Sequence, residues 1–100
     1  MVMDIEVRKE SDEIVVFVGG RLDTTTAPQL EKTINENIKN TTNLVLDLKE
    51  LKYISSAGLR VLLSAQKKMQ NIGSMKVKNA CEEIMEIFEM TGFAEILTIE

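Results

Sequence analysis

Residues 44–62 read Leu44-Val45-Leu46-Asp47-Leu48-Lys49-Glu50-Leu51-Lys52-Tyr53-Ile54-Ser55-Ser56-Ala57-Gly58-Leu59-Arg60-Val61-Leu62. The stretch opens on an apolar strand-like run, Leu44 to Leu48, broken only by Asp47. It closes on a helical pattern. Gly58, Leu62, Ala65, Met69 and Ile72 recur at spacings of four and three, which is one stripe of a helix, and Leu59 and Leu63 widen it. Gly73 is a natural stop. A buried strand, a polar loop and an amphipathic helix in succession form the repeating unit of an α/β domain.

The same alternation extends in both directions. Upstream, Met3, Ile5 and Val7 alternate with Asp4, Glu6 and Arg8, the pattern of a half-buried strand. After a polar turn, Ile14 to Val18 is continuously β-branched or aromatic, as suits a central strand covered on both faces. Gly19-Gly20 and a Thr24-Thr25-Thr26 run then lead to a helix on which Ala27, Leu30, Ile34 and Ile38 share a face. Thr26 and Gln29 have the spacing of a capping box, and Pro28 fits a first turn. Downstream, Met75 and Val77 alternate with lysines as a short strand. A last helix carries Ile84, Ile87, Phe88 and Thr91 on its inner face, with cap spacing at Asn79 and Glu82 and a stop at Gly92. Residues 96–99 fit a final short strand. The methionines at 69, 75, 85 and 90 fit a core pattern, with a groove rim as the alternative.

The expected order is ββαβαβαβ in one domain over residues 1–100, with a mostly parallel sheet and an antiparallel first pair. No linker, repeat or low-complexity segment divides the chain, and 100 residues suffice for one modest core.

Composition narrows the chemistry. There is no histidine, which excludes Ser-His-Asp triads and histidine-ligated metals. A single cysteine, Cys81, forms neither an intrachain disulfide nor a structural zinc site, and points to a reducing cytoplasm. A net charge of −4 argues against a partner bound through phosphates, and 4% aromatics leave no base-stacking platform. No apolar run approaches the ~18 residues of a membrane span. A binding or switch module is therefore expected rather than an enzyme, with no cofactor and no metal.

In sheets of this kind function concentrates at the carboxyl ends of parallel strands. Two segments fall there, Gly20 to Thr26 and Tyr53 to Gly58. Ser55 and Ser56 stand at a helix start, where a serine serves as N-cap. The alternative is reversible phosphorylation. The helix dipole and free amides accept a dianion there, while an interface burying that end does not. Gly58 costs about 1 kcal/mol against alanine in a helix. Close packing or an approaching partner must offset that cost. An acceptor built on Asp47, as in a receiver domain, lacks the paired acids that hold Mg²⁺, and no glycine-rich phosphate loop is present.

Asp47-Leu48, four residues, then Tyr53 to Leu62 closely resembles the signature of the bacterial anti-sigma factor antagonists, the STAS domain. Gly20-Arg21-Leu22-Asp23 with Thr26-Ala27 resembles the family's other hallmark, and Ile87-Phe88-Glu89-Met90-Thr91-Gly92-Phe93 its usual ending. The three lie in the family's order across nearly the whole chain. The resemblance implies an α/β domain whose mixed sheet of about four to five strands carries helices mainly on one face. It implies a cytoplasmic, non-enzymatic protein that binds an anti-sigma factor with serine kinase activity and frees the sigma factor. Phosphorylation of a serine breaks that capture and a phosphatase restores it. A STAS module in another partner-switching or stress-signalling complex is the alternative. Nucleic acid and membrane are not expected partners, and the free protein is expected to be a monomer.

Carried over by position, the phosphoacceptor falls on Ser56, with Ser55 as the alternative. The family often has Asp where Ser55 stands and Ser where Ala57 stands. Asp23 corresponds to the loop aspartate beside the acceptor; it equally suits a turn-holding role. The expected partner surface comprises Asp23, Thr24, Ser55, Ser56, Gly58 and Arg60. Asp47 is expected to hydrogen-bond the loop that follows it.

Overall fold

The continuous apolar run from Ile14 becomes the spine of the sheet. In the computed structural model, which describes residues 3–100, it lies in β2 (Glu13–Leu22), the longest strand. β1 (Met3–Glu10) pairs with it antiparallel through the Ser11-Asp12 turn, with Met3 opposite Gly20 and Glu10 opposite Glu13. β3 (Asn43–Asp47) pairs parallel with the first half of β2, and β5 (Ser74–Lys78) pairs parallel with β3.

β4 (Leu51–Ile54) is a strand the sequence reading did not separate from its loop. It pairs parallel with the second half of β2, setting Arg21 beside Tyr53 and Leu22 beside Ile54. One edge of β2 thus serves β3 first and β4 afterwards. The register shifts between Gly20 and Arg21, where Gly20 has φ 85°, a left-handed conformation that glycine adopts without a Cβ clash. The Gly20 N–H donates to the Glu50 carbonyl at 2.9 Å, fastening the crossover between the two strands.

The helices are α1 (Ala27–Asn37), α2 (Ser56–Gln70), α3 (Glu82–Thr91) and the short α4 (Phe93–Ile96). Because side chains alternate along a strand, Ile14, Val16 and Val18 share a face with Leu44, Leu46, Met75 and Val77. All seven are buried and join Leu30, Ile34, Leu62, Met69, Ile84 and Phe88 of the helices in one core. The opposite face carries Asp4, Glu6, Arg8 and Glu10 of β1, with Arg8 over the Phe17 ring.

Several expectations change. Residues 96–99 do not form a strand: α4 occupies the start, and only Ile99 bridges Val77 at the edge of β5. Thr26 is the N-cap of α1 by position, but its side chain makes no cap bond because it is turned back into the preceding loop. α3 is capped by Cys81 rather than Asn79. Met69 and Met75 are core residues, whereas Met90 is 86% exposed.

Candidate functional site

Parallel pairing of β2 with β4 brings two loops side by side at one end of the sheet. The junction is fixed by the Ser55 N–H, which donates to the Leu22 carbonyl at 2.9 Å. The first loop therefore departs from β2 just where the second enters α2.

The first loop is held by Asp23 and Thr26. The Asp23 carboxylate accepts from the Thr25 hydroxyl at 2.8 Å, the Thr25 N–H at 3.0 Å and the Thr26 N–H at 3.2 Å. The Thr26 hydroxyl donates to the Arg21 carbonyl and accepts from the Asp23 N–H, both at 2.8 Å. Donors around the carboxylate, the Thr25 hydroxyl foremost, lower the Asp23 pKa from 3.8 to about 2. Asp23 therefore remains ionised at any physiological pH. Its outer oxygen lies 3.6 Å from Arg21 Nε, and the Arg21 guanidinium stacks over the Tyr53 ring at 4.0 Å. Thr24 stands exposed at the tip.

The second loop separates its two serines. Ser55 is the N-cap of α2 in extended conformation, half-buried, and its hydroxyl accepts from the Gly58 N–H at 3.4 Å. Ser56 follows as the first helical residue and is exposed. Ser55 is thus engaged in capping, while Ser56 is exposed. Arg60, one turn on, is exposed on the same side of the helix. Gly58 is buried beneath. A Cβ there would stand 2.7 Å from Leu22 Cγ and 2.8 Å from Ile54 Cγ1. Close packing of α2 on the ends of β2 and β4 thus accounts for the glycine, and Gly58 fixes the height at which both serines emerge.

Asp47 stands apart from this cluster. It accepts from the Lys49 N–H and from the Asn79 side chain, both at 3.0 Å, and so holds the loop after β3. Among the described residues no group of three or more acidic, cysteine or histidine side chains is placed to hold a metal. No helix among them is long and apolar enough to cross a membrane.

Residues 4–100 match the family model described as "STAS domain". The chain belongs to the STAS domain family. The anti-sigma-B factor antagonist of Listeria monocytogenes is 30% identical over 103 residues, covering 100% of this chain and 90% of that one. The structure superposes on an anti-sigma factor antagonist from Mycobacterium paratuberculosis with TM-score 0.89 and 24% identity, covering 98% and 85% of the two chains. It superposes on the Bacillus cell fate determinant SpoIIAA, solved in its phosphorylated form, with TM-score 0.76 and 16% identity, covering 97% and 91%.

Two residues of this STAS domain escaped the sequence reading as site components, Arg21 and Tyr53. Tyr53 is 39% exposed, a large aromatic at the end of a parallel strand. The run Leu51-Lys52-Tyr53-Ile54 offers no clean alternation, Leu51 and Ile54 being buried and Lys52 and Tyr53 exposed. It is too short to call a strand by itself, and only the β2–β4 register reveals its pairing with Arg21.

Proposed function

We propose that this STAS domain is an anti-sigma factor antagonist controlled by phosphorylation of Ser56. Unphosphorylated, it binds an anti-sigma factor that is also a serine kinase, and the sigma factor is released. In the reverse step the Ser56 Oγ attacks the γ-phosphorus of ATP held by the kinase. The bond to ADP breaks, and the hydroxyl proton passes to the kinase or water. A phosphatase returns the serine to its free state.

One observation carries this reading: Ser55 is occupied as helix cap while Ser56 is exposed at the first position of α2. A phosphate on Ser56 adds about −1.5 to −2 charge at pH 7. The first-turn amides and the helix dipole favour that charge, so the fold tolerates it. A partner that buries the same helix end must desolvate a dianion beside the permanently ionised Asp23, and is expelled. The names of the curated relatives and the existence of a phosphorylated SpoIIAA of the same fold support the assignment. The composition, without histidine and with one cysteine, favours binding over catalysis.

The test is to isolate the protein from its native cell, identify what copurifies, and map phosphate by mass. The expected result is an anti-sigma factor kinase bound only to the unmodified form, with phosphate on Ser56. Phosphate on Ser55 would move the acceptor by one residue. A bound partner that is neither kinase nor anti-sigma factor would replace the circuit.

A further inference from the structure

The two loops open onto a groove of about 620 Å³ between α1 and α2. It begins at Thr24 and Ala57, the neighbours in sequence of Asp23 and Ser56, and runs along α2 to Lys67 and Lys68. Its α2 wall takes in positions 57, 60, 61, 63, 64, 67 and 68, neighbours on one side of the helix at spacings of three and four. Its apolar lining is Ala27, Pro28, Ala57, Val61 and Leu63, of which Ala27 and Val61 are buried and lie deepest.

The charge of the groove is opposite to that of the chain. Arg60, Lys67 and Lys68 line it against one carboxylate, Glu31, in a protein of net charge −4. The Lys68 Nζ is bound to Asn35 Oδ1 at 2.7 Å. Among the described residues the ion-paired cations are Arg21, Lys76 and Lys78, so Arg60 and Lys67 are unpaired on the rim.

Building on the function above, we propose that this groove receives an acidic amphipathic helix of the anti-sigma factor. The helix sets small apolar side chains on Ala27, Ala57 and Val61, and carboxylates against Arg60 and Lys67. A helix fits because no strand edge is offered between α1 and α2. An extended segment would leave its backbone groups unpaired, whereas a helix satisfies its own. α1 spans 11 residues, which gives the groove about 16 Å of length, or three turns. The groove also explains how one phosphate acts over a wider surface. A dianion on Ser56 lies at the mouth, where it repels the carboxylates of the incoming helix and draws Arg60 away from them.

The test is a titration of the full-length protein with the purified anti-sigma factor kinase, at low and moderate salt. Lys67 is eleven residues from Ser56, about 16 Å along α2, so Lys67→Glu leaves the acceptor untouched. The expected result is at least tenfold weaker binding for Lys67→Glu and a flatter salt dependence. Lys32→Glu, exposed on α1 outside the groove, should bind like wild type. Hydrogen exchange of the wild-type complex should show protection from Ala57 to Lys67. Equal binding by Lys67→Glu and wild type would overturn the groove and leave the antagonist function standing. Equal weakening by Lys32→Glu would reduce the effect to net charge and overturn it as well. If the Lys67→Glu protein failed to fold, absence of protection beyond Arg60 in the wild-type complex would overturn it. No binding by the wild-type protein would overturn groove and function together.

Discussion

The Arg21 guanidinium lies 4.0 Å from the centroid of the Tyr53 ring, across the parallel pairing of β2 with β4. This contact joins the ends of β2 and β4, from which the two loops depart, through side chains, in addition to the backbone bond from Ser55 to Leu22. Both residues are partly exposed, so an exposed cation–π pair of about 0.5–1 kcal/mol is expected. A double-mutant cycle with Arg21→Ala and Tyr53→Ala, read by urea unfolding, should return a coupling in that range. A coupling of zero would mean that the loops are held by the backbone alone.

Ser55 and Ser56 should separate stability from control. Ser55→Ala removes the cap of α2 and should cost about 1 kcal/mol in denaturant unfolding. Ser56→Ala should unfold like wild type, bind the anti-sigma factor, and resist its kinase. Ser56→Asp should weaken binding, and less than a phosphate does, because it carries a single charge.

Gly58→Ala tests the packing under the switch. A propensity gain of about 1 kcal/mol favours alanine in a helix. The added Cβ would meet Leu22 and Ile54 side chains closer than 3 Å, and overpacking of that kind costs about 1–3 kcal/mol. The expected sum is a lower urea midpoint, with partner binding weakened further because both serines are displaced.

Acid should reach the first loop late. The pKa of Asp23 is lowered to about 2, chiefly by the Thr25 hydroxyl, so its folded value lies below its unfolded one. Such a group favours the folded state fully above the unfolded pKa of about 4, and that contribution fades as pH falls to 2. Carbon-detected NMR should therefore show Asp23 titrating well below the ordinary aspartate range. In Thr25→Val, which removes the leading donor, its midpoint should move up toward the ordinary range. An unchanged midpoint would assign the shift to the other donors, the Thr25 and Thr26 N–H groups and the Thr26 hydroxyl.

The strands of the core were legible because each was written in one code. Ile14 to Val18 is an uninterrupted apolar run, Leu44 to Leu48 is broken only by Asp47, and Gly92 ends α3 in the left-handed conformation of a helix stop. Leu51–Ile54 was not legible. Its four residues fall below the length at which alternation exceeds chance, and its partner, the end of β2, lies about thirty positions upstream. Residues 96–99 misled for a related reason: Ile96, Leu97 and Ile99 look strand-like, but only Ile99 reaches the sheet, and Ile96 closes a helical turn. At the site the loops and both serines were visible in sequence. Which serine caps depended on a single backbone donor, the Gly58 N–H, and no spacing rule fixes that choice between adjacent hydroxyls.

Met3 opposite Gly20 and Ile99 beside Val77 have a practical result for anyone fusing another protein to this one. The outermost strands, β1 and β5, are three strand spacings apart, about 14 Å. Met3 lies toward the same pole as the two loops, whereas Ile99 beside Val77 is level with Val16, near the middle of β2. A reporter attached ahead of Met3 would hang at the loop end of the sheet and compete for room with whatever docks there. An insert in the Ser11-Asp12 turn would project from the opposite pole and leave that approach open.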